Sequence, residues 1–348
     1  MTTPPVRVLK FGGTSVATAA SRDQAIGHLR RARDEGRQVA VVVSAMGRRG
    51  DAYATDTLLD LLRGDGGPVA PGDYDLMFTC GEAIAAAVMA HAVKRAGIES
   101  VALTSAQARI FTDGRHMESE IVRIDPDRLH ALLRQGVVPV ITGGQGVAED
   151  TLDYTSLGRG GSDTSAVAVG VALGAERVDI FTDVAGIAVC DPRIVPDAPF
   201  MHRISYAAML ELARFGARVM HPGAIATAGK AGMPVVVRST FSTDDGGTTI
   251  DGAGDDRPLV GLAVLRGIEQ PARPGRLAAW LSVVGAEAAV AAAQPQLAAA
   301  LAGARVEVLS SEVTPHRCTI AVPDAAADLA ARIVYAAAWA QGPTTSPL

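Results

Sequence analysis

The residues between Thr155 and Gly174 are equipped to hold an anion. They read Thr-Ser-Leu-Gly-Arg-Gly-Gly-Ser-Asp and continue into an apolar run. Gly158, Gly160 and Gly161 let the backbone take positive φ and come close to a ligand. Ser162 is suited to cap the helix that follows, with Asp163 in its first turn. A glycine loop ahead of a helix aims amide N–H groups and partial positive charge at whatever lies before it. Arg159 adds a planar fork of donors that fits carboxylate or phosphate. Together they suggest capture of an anion beside a fixed carboxylate, Asp163. An ordinary strand–helix connection is the weaker reading, because it needs neither three glycines nor the Arg and Ser-Asp around them.

A second group starts at Lys10, where Lys-Phe-Gly-Gly-Thr-Ser follows the short apolar strand Val6–Leu9 and a helical pattern runs on to Arg33. Lys10 therefore lies at the carboxyl end of a strand, the edge where open α/β sheets bind ligands. Gly12 and Gly13 form the turn into a helix capped near Thr14 or Ser15. The spacing G-x-x-x-x-G-K is absent, so this is not a Walker loop. A lysine here can still set a point charge on a phosphate.

The elements that must carry these groups alternate. Val39–Val43 is uniformly apolar and ends at Ser44, as expected of a parallel strand covered on both faces. Residues 45–54 form a loop with Arg48, Arg49 and Asp51, and residues 64–73 form another, rich in Gly and Pro. Cys80-Gly81-Glu82 opens a helix running to about Ala96, and in such a first turn Glu82 would complement the helix dipole. Val101–Thr104 and Val137–Thr142 are strands. Gly143-Gly144-Gln145-Gly146 holds only part of a dinucleotide fingerprint and no clear helix follows, which argues against a Rossmann site. Val178–Thr182 delivers Thr182-Asp183, a turn at Gly186 and then Asp191-Pro192-Arg193. Two helices over 205–231 precede a last strand, Val235–Arg238. Strands alternating with helices predict an α/β sandwich with a largely parallel sheet. Residues 241–260 read as linker. The Ala-rich remainder reads as strand Ala278–Val284, helix Glu287–Leu301, strands Val306–Leu309 and Cys318–Val322, and helix Ala325–Ala340, a small α+β module.

Composition narrows the function. A length of 348 residues predicts two domains. The net charge of −5 offers no basic patch for nucleic acid. Cys80, Cys190 and Cys318 show no paired spacing, which argues against a zinc site or disulfide framework and fits a reducing compartment. The start of the chain lacks a signal-peptide core, and no stretch of about 18 uncharged apolar residues predicts a membrane span. A cytoplasmic protein is expected.

Three motifs then speak together: KFGGTS at Lys10–Ser15, SLGRGGSD at Ser156–Asp163, and TDVAGIAVCDPR at Thr182–Arg193. With Cys80-Gly81-Glu82 and Val219–Arg238, they closely resemble the bacterial aspartate kinases of the amino acid kinase family, over roughly residues 6–250. The resemblance implies an αβα sandwich of the amino acid kinase type over residues 1–240, a linker over 241–260, and a single degenerate ACT-like module over 261–348. It implies transfer of the γ-phosphate of ATP to the β-carboxylate of aspartate, with Mg²⁺, by a homo-oligomer of two or more chains. By the resemblance, Lys10 neutralises the transferring phosphoryl group and Asp163 organises lysines and metal. Glu82 holds the substrate ammonium and Arg159 a substrate carboxylate, with Ser44, Arg49 and Ser162 also on the substrate side. Gly12, Gly13, Thr14, Thr182, Asp183, Arg193 and Lys230 belong to the nucleotide side. The metal ligands stay unassigned.

The chain departs from the family pattern at Gly144, where an aromatic is usual, at Arg49, where Thr is usual, and at Ala188, where a larger side chain is frequent beside adenine. Two alternatives therefore stand beside the first reading: the same transfer to an aspartate-like acid, with Arg49 meeting an additional anionic group, and a nucleotide-binding regulatory homologue without turnover. The region after Thr240 has room for one βαββαβ unit where the family usually pairs two. The Pro-Gly turn that usually opens the effector-binding helix is missing at Val284–Ala289. Insensitivity to lysine and threonine is expected.

Overall fold

Runs of β-branched and aromatic residues set the central sheet. The structure, a computed structural model, describes residues 4–64, 66–242, 246–254, 257–270 and 275–339. In chain order the elements are β1 (Val6–Phe11), α1 (Gly13–Val16), α2 (Ala19–Asp34), β2 (Gln38–Val43), α3 (Thr55–Gly64), α4 (Pro71–Arg95), β3 (Ser100–Leu103), β4 (Ile110–Thr112) and β5 (Ile121–Ile124). Next come α5 (Asp127–Arg134), β6 (Val138–Thr142), β7 (Gln145–Ala148), β8 (Tyr154–Ser156), α6 (Gly161–Ala172), β9 (Arg177–Thr182), β10 (Arg203–Ser205) and α7 (Tyr206–Arg214). The rest are α8 (Pro222–Ala231), β11 (Val235–Ser239), β12 (Thr248–Asp251), β13 (Leu259–Glu269), β14 (Leu277–Gly285), α9 (Glu287–Gly303), β15 (Ser310–Thr314), β16 (Arg317–Pro323) and α10 (Ala327–Ala338).

The chain divides into two compact units, one of residues 1–185 and 223–249, the other of 186–222 and 250–348. In the first, β11-β9-β1-β2-β6-β3 lie side by side, every pair parallel. Period-two alternation sorts β1. Leu9 and Phe11 join Val41 and Val43 in a core with Ile26 and Leu29 of α2 and Met89 and Val93 of α4. Lys10 points to the opposite face, toward α6. The αβα sandwich follows. A smaller sheet, β5-β4-β7-β8, ends at Ser156 and feeds the glycine loop.

Several helix boundaries differ from those expected. Thr18, rather than Thr14 or Ser15, caps the long helix α2, sharing a capping box with Ser21, while α1 is one turn. Helix α4 begins at Pro71, the first-turn position proline favours, so Glu82 sits at its middle and has no dipole to complement. Among the described residues, α4 is the one helix long and apolar enough to cross a membrane by length and composition. Here it is a core helix, burying Asp75, Glu82, Met89 and Val93.

The second unit holds the antiparallel sheet β13-β14-β16-β15, with α9 and α10 sharing its core. Cys190, Ile194 and Ala198 belong to the same core, which is why residues 186–222 group with the C-terminal region and not with the chain before them. Strand β12 lies inside the stretch read as linker, whose Asp244, Asp245, Asp255 and Asp256 are outside the described residues. The stretch Val306–Leu309 is not a strand; the pairing falls on the polar residues Ser310–Thr314 beside β16. The expected end of the last helix, Ala340, is also outside the described residues.

Candidate active site

Lys10 is the fifth residue of β1 and only 8% exposed. Its Nζ lies 2.7 Å from Oδ1 of Asp163, itself 7% exposed. A buried cation beside a buried carboxylate offsets much of the desolvation of each. Past Phe11 the chain turns through Gly12, whose N–H donates to the carbonyl of Phe181 at 3.2 Å. At Gly13 an added Cβ would fall 2.5 Å from the carbonyl oxygen of Ala45, so only glycine lets these loops meet. Thr14 is exposed in the short helix α1.

The loop Leu157–Gly160 takes positive φ at Gly158 (73°) and Gly160 (74°), conformations that favour glycine. Gly160, not Ser162, is the N-cap of α6, and Asp163 lies in the first turn as expected. Freed from capping, the Ser162 hydroxyl accepts a 2.8 Å hydrogen bond from Ser44 Oγ at the end of β2. Arg159 stands exposed between the two glycines and makes no hydrogen bond or ion pair among the described residues.

Glu82 is 5% exposed, and its Oε2 has no hydrogen-bond partner among the described residues. Burial pushes its carboxyl up to about 8, with the backbone N–H groups of Glu82 and Ala45 pulling it back down. A buried acid without a cation is a costly feature unless a cation arrives from outside.

Other expected site residues stand apart. Arg49 pairs with Asp60 and, at 3.9 Å, with Asp56. The Thr182 hydroxyl donates to Asp183 at 3.1 Å, and Asp183 is exposed beyond the end of β9. Lys230 is exposed in the last turn of α8. Arg193 lies in the second unit, 85% exposed, paired with Asp191 at 2.6 Å. Ala188, also in that unit, bridges to Phe200.

Sequence reading missed Asp75, fully buried on α4 and bonded to Ser156 and Met117, and Thr240. Thr240 ties four elements: its hydroxyl meets Ser15 Oγ at 2.6 Å, its carbonyl lies 2.9 Å from His28 Nε2, and its N–H donates to Thr182. A lone acid between the expected loop at 64–73 and the expected helix from Cys80, and a threonine after a strand, carry no local signal of such roles.

The profile described as the amino acid kinase family matches residues 5–239. Aspartokinase 1 of Bacillus subtilis is 37% identical over 334 residues, covering 94% of this chain and 80% of that protein. The chain belongs to the amino acid kinase family, on its aspartokinase branch. The aspartokinase of Mycolicibacterium smegmatis is 40% identical over 75% of this chain, which spans only 60% of that protein's length. The family fold is equally plain: aspartokinase III of E. coli, solved with aspartate and ADP, superposes with a TM-score of 0.80 at 20% identity, over 95% of this chain and 99% of that one.

Proposed function

We infer that the chain transfers the γ-phosphoryl group of ATP to the β-carboxylate of L-aspartate, giving 4-phospho-L-aspartate and ADP. The observation that carries this is the buried Lys10–Asp163 pair at 2.7 Å, at the carboxyl edge of a parallel sheet in a member of the aspartokinase branch. The acceptor is already an anion, so no general base is required. Catalysis consists of bringing two anions in line and spreading the charge that develops on the transferred group. Lys10, oriented by Asp163, supplies the cation, and the backbone at Gly13 and Thr14, in the first turn of α1, supplies N–H donors. Glu82 receives the substrate ammonium in an otherwise uncompensated pocket. Arg159 takes the α-carboxylate, with Ser44 and Ser162 beside it. Thr182, Asp183 and Lys230 serve the nucleotide.

Among the described residues no three His, Cys, Asp or Glu side chains converge as a metal cage. Mg²⁺ carried by phosphates needs only one or two protein carboxylates. Asp163 and Asp183 are the carboxylates that would hold it. When bound, Mg²⁺ neutralises charge on the phosphate oxygens. A homo-oligomer is part of the same proposal, checked by light scattering.

Arg49 already has Asp60 and Asp56 as partners, which supports aspartate over an acid with a further anionic group. A hydroxamate assay with ATP across aspartate, glutamate and other amino dicarboxylates tests the reading. Product is expected with aspartate. Turnover only with another acid overturns the substrate, and no turnover with any acid favours a nucleotide-binding homologue.

A further inference from the structure

We propose that Asp75 is a positioning residue for the amino-acid substrate, holding the base of the Arg159 loop in register with Glu82. The proposal rests on the reading of Glu82 and Arg159 as the grips on the ammonium and the α-carboxylate.

Asp75 and Glu82 are seven residues apart on α4 and share one stripe of the helix, about 10 Å apart along its axis. Asp75 is fully buried, with no lysine or arginine paired to it among the described residues. Its oxygens are met by three groups from two segments. Ser156 Oγ donates to Oδ1 at 2.5 Å, the Met117 N–H donates to Oδ2 at 2.9 Å, and His116 Nδ1 lies 2.9 Å from Oδ2. Ser156 ends β8, three residues before Arg159. Met117 holds a left-handed backbone, φ 69°, unusual for a side chain of its size. The Met117 carbonyl would be 3.2 Å from a Cβ at Gly158, and the Ser119 N–H and hydroxyl both donate to the Ser156 carbonyl at 3.0 Å. The Leu157 N–H donates to Gly144 at 2.9 Å. Residues 156–158 are thus clamped on both sides, and the common anchor is a carboxylate on the helix that also carries Glu82. Arg159 itself has no protein partner among the described residues, so its aim depends on this base. Asp75 thereby fixes the distance between the two grips, which is the length of substrate the site accepts.

The test is initial-rate kinetics, varying aspartate, glutamate and ATP separately, on Asp75→Asn, Ser156→Ala, Arg159→Lys and the Asp75→Asn/Arg159→Lys double variant. Asp75→Asn is expected to raise the aspartate KM by roughly tenfold or more, the scale of a small misplacement of a binding group. The ATP KM should stay within about twofold, and the preference for aspartate over glutamate should shrink. Ser156→Ala should show the same selective pattern in milder form, which keeps the test open if Asp75→Asn does not fold. The double variant should be little worse than Arg159→Lys alone, because residues acting through one another are not additive. Equal rises in both KM values, unchanged aspartate-to-glutamate preference, or additive effects in the double variant would overturn the role of Asp75. If Arg159→Lys acts on the ATP KM alone, the reading of Arg159 falls first, and this proposal with it.

Discussion

At the scale of single residues, two buried charged groups divide the work. Lys10 is held by Asp163 at 2.7 Å, and on the proposed reading this preorganises the ammonium where phosphoryl charge develops. Removing one preorganised charge contact to a transition state costs about 3 kcal/mol, roughly 100- to 1000-fold in rate. Lys10→Ala is therefore expected to lower kcat by that factor with smaller changes in substrate KM, and a near-normal kcat would remove Lys10 from the chemistry. Glu82 predicts a pH dependence. Burial pushes its carboxyl up to about 8, and on the proposed reading the carboxylate is the form that attracts the substrate ammonium. The aspartate KM should fall as pH rises from 6 toward 8 and level off above. The kcat should be flatter, because bound ammonium favours the ionised form. Glu82→Gln should abolish the slope and leave KM high. The stability sign is the reverse. The folded value is raised from 4.5 to about 8, so stability present below about 4.5 is lost as pH climbs to about 8. In denaturant titrations Glu82→Gln should gain on the wild type across that window. A constant difference from pH 5 to 9 would mean that Glu82 is not buried as an acid.

At the scale of elements, the tight meeting of two loops at Gly13 is set against an open helix surface at Gly27. A methyl at Gly13 would sit 2.5 Å from the Ala45 carbonyl, so Gly13→Ala must move one loop and is expected to lower both stability and kcat. Gly27 is exposed inside α2 with nothing within 4 Å of an added Cβ, so Gly27→Ala should stabilise by about 0.5–1 kcal/mol and leave the rate unchanged. Urea midpoints and kcat for the pair check both, and equal effects at the two positions would contradict the packing at Gly13. The same contrast explains what sequence could disclose. Val39–Val43 was legible because a strand buried on both faces is uniformly apolar, and Val178–Thr182 and Val235–Arg238 were legible from the apolar residues around Asp179 and Arg238, which pair with each other at 3.2 Å. Lys10, Asp163 and the glycine loop were legible because their chemistry is local. The small sheet β5-β4-β7-β8 was not, since its strands are three or four residues long. Helix α4 was read nine residues short because Pro71-Gly72 looks like a loop, and that hid Asp75. Its partner Ser156 is 81 residues away, a distance no periodicity spans.

At the scale of the whole molecule, the C-terminal region raises the question of feedback. In the family this chain resembles, lysine or threonine binds between paired ACT modules, at amide groups where a helix begins. Here the described part of the module runs ββαββα, with β13 supplying the edge beside β14 from the N-terminal side. The backbone amides leading into α9 are already committed. The Gly285 N–H donates to the His316 carbonyl at 3.1 Å and the Ala286 N–H to the Pro258 carbonyl at 2.9 Å. At Gly285 an added Cβ would fall 2.3 Å from that same Pro258 oxygen, so the chain leaves no room there. Glu287 then places a carboxylate in the first turn, where an effector's own carboxylate would be repelled. A ligand shifts an equilibrium only by its differential affinity for the states, and this helix start offers an amino-acid carboxylate little affinity in any state. Lysine and threonine, alone or together at millimolar concentration, are expected to leave the rate unchanged at saturating ATP and sub-saturating aspartate. Calorimetric titration of either should show no heat of binding. Strong inhibition would mean that the effector amides lie elsewhere in the chain.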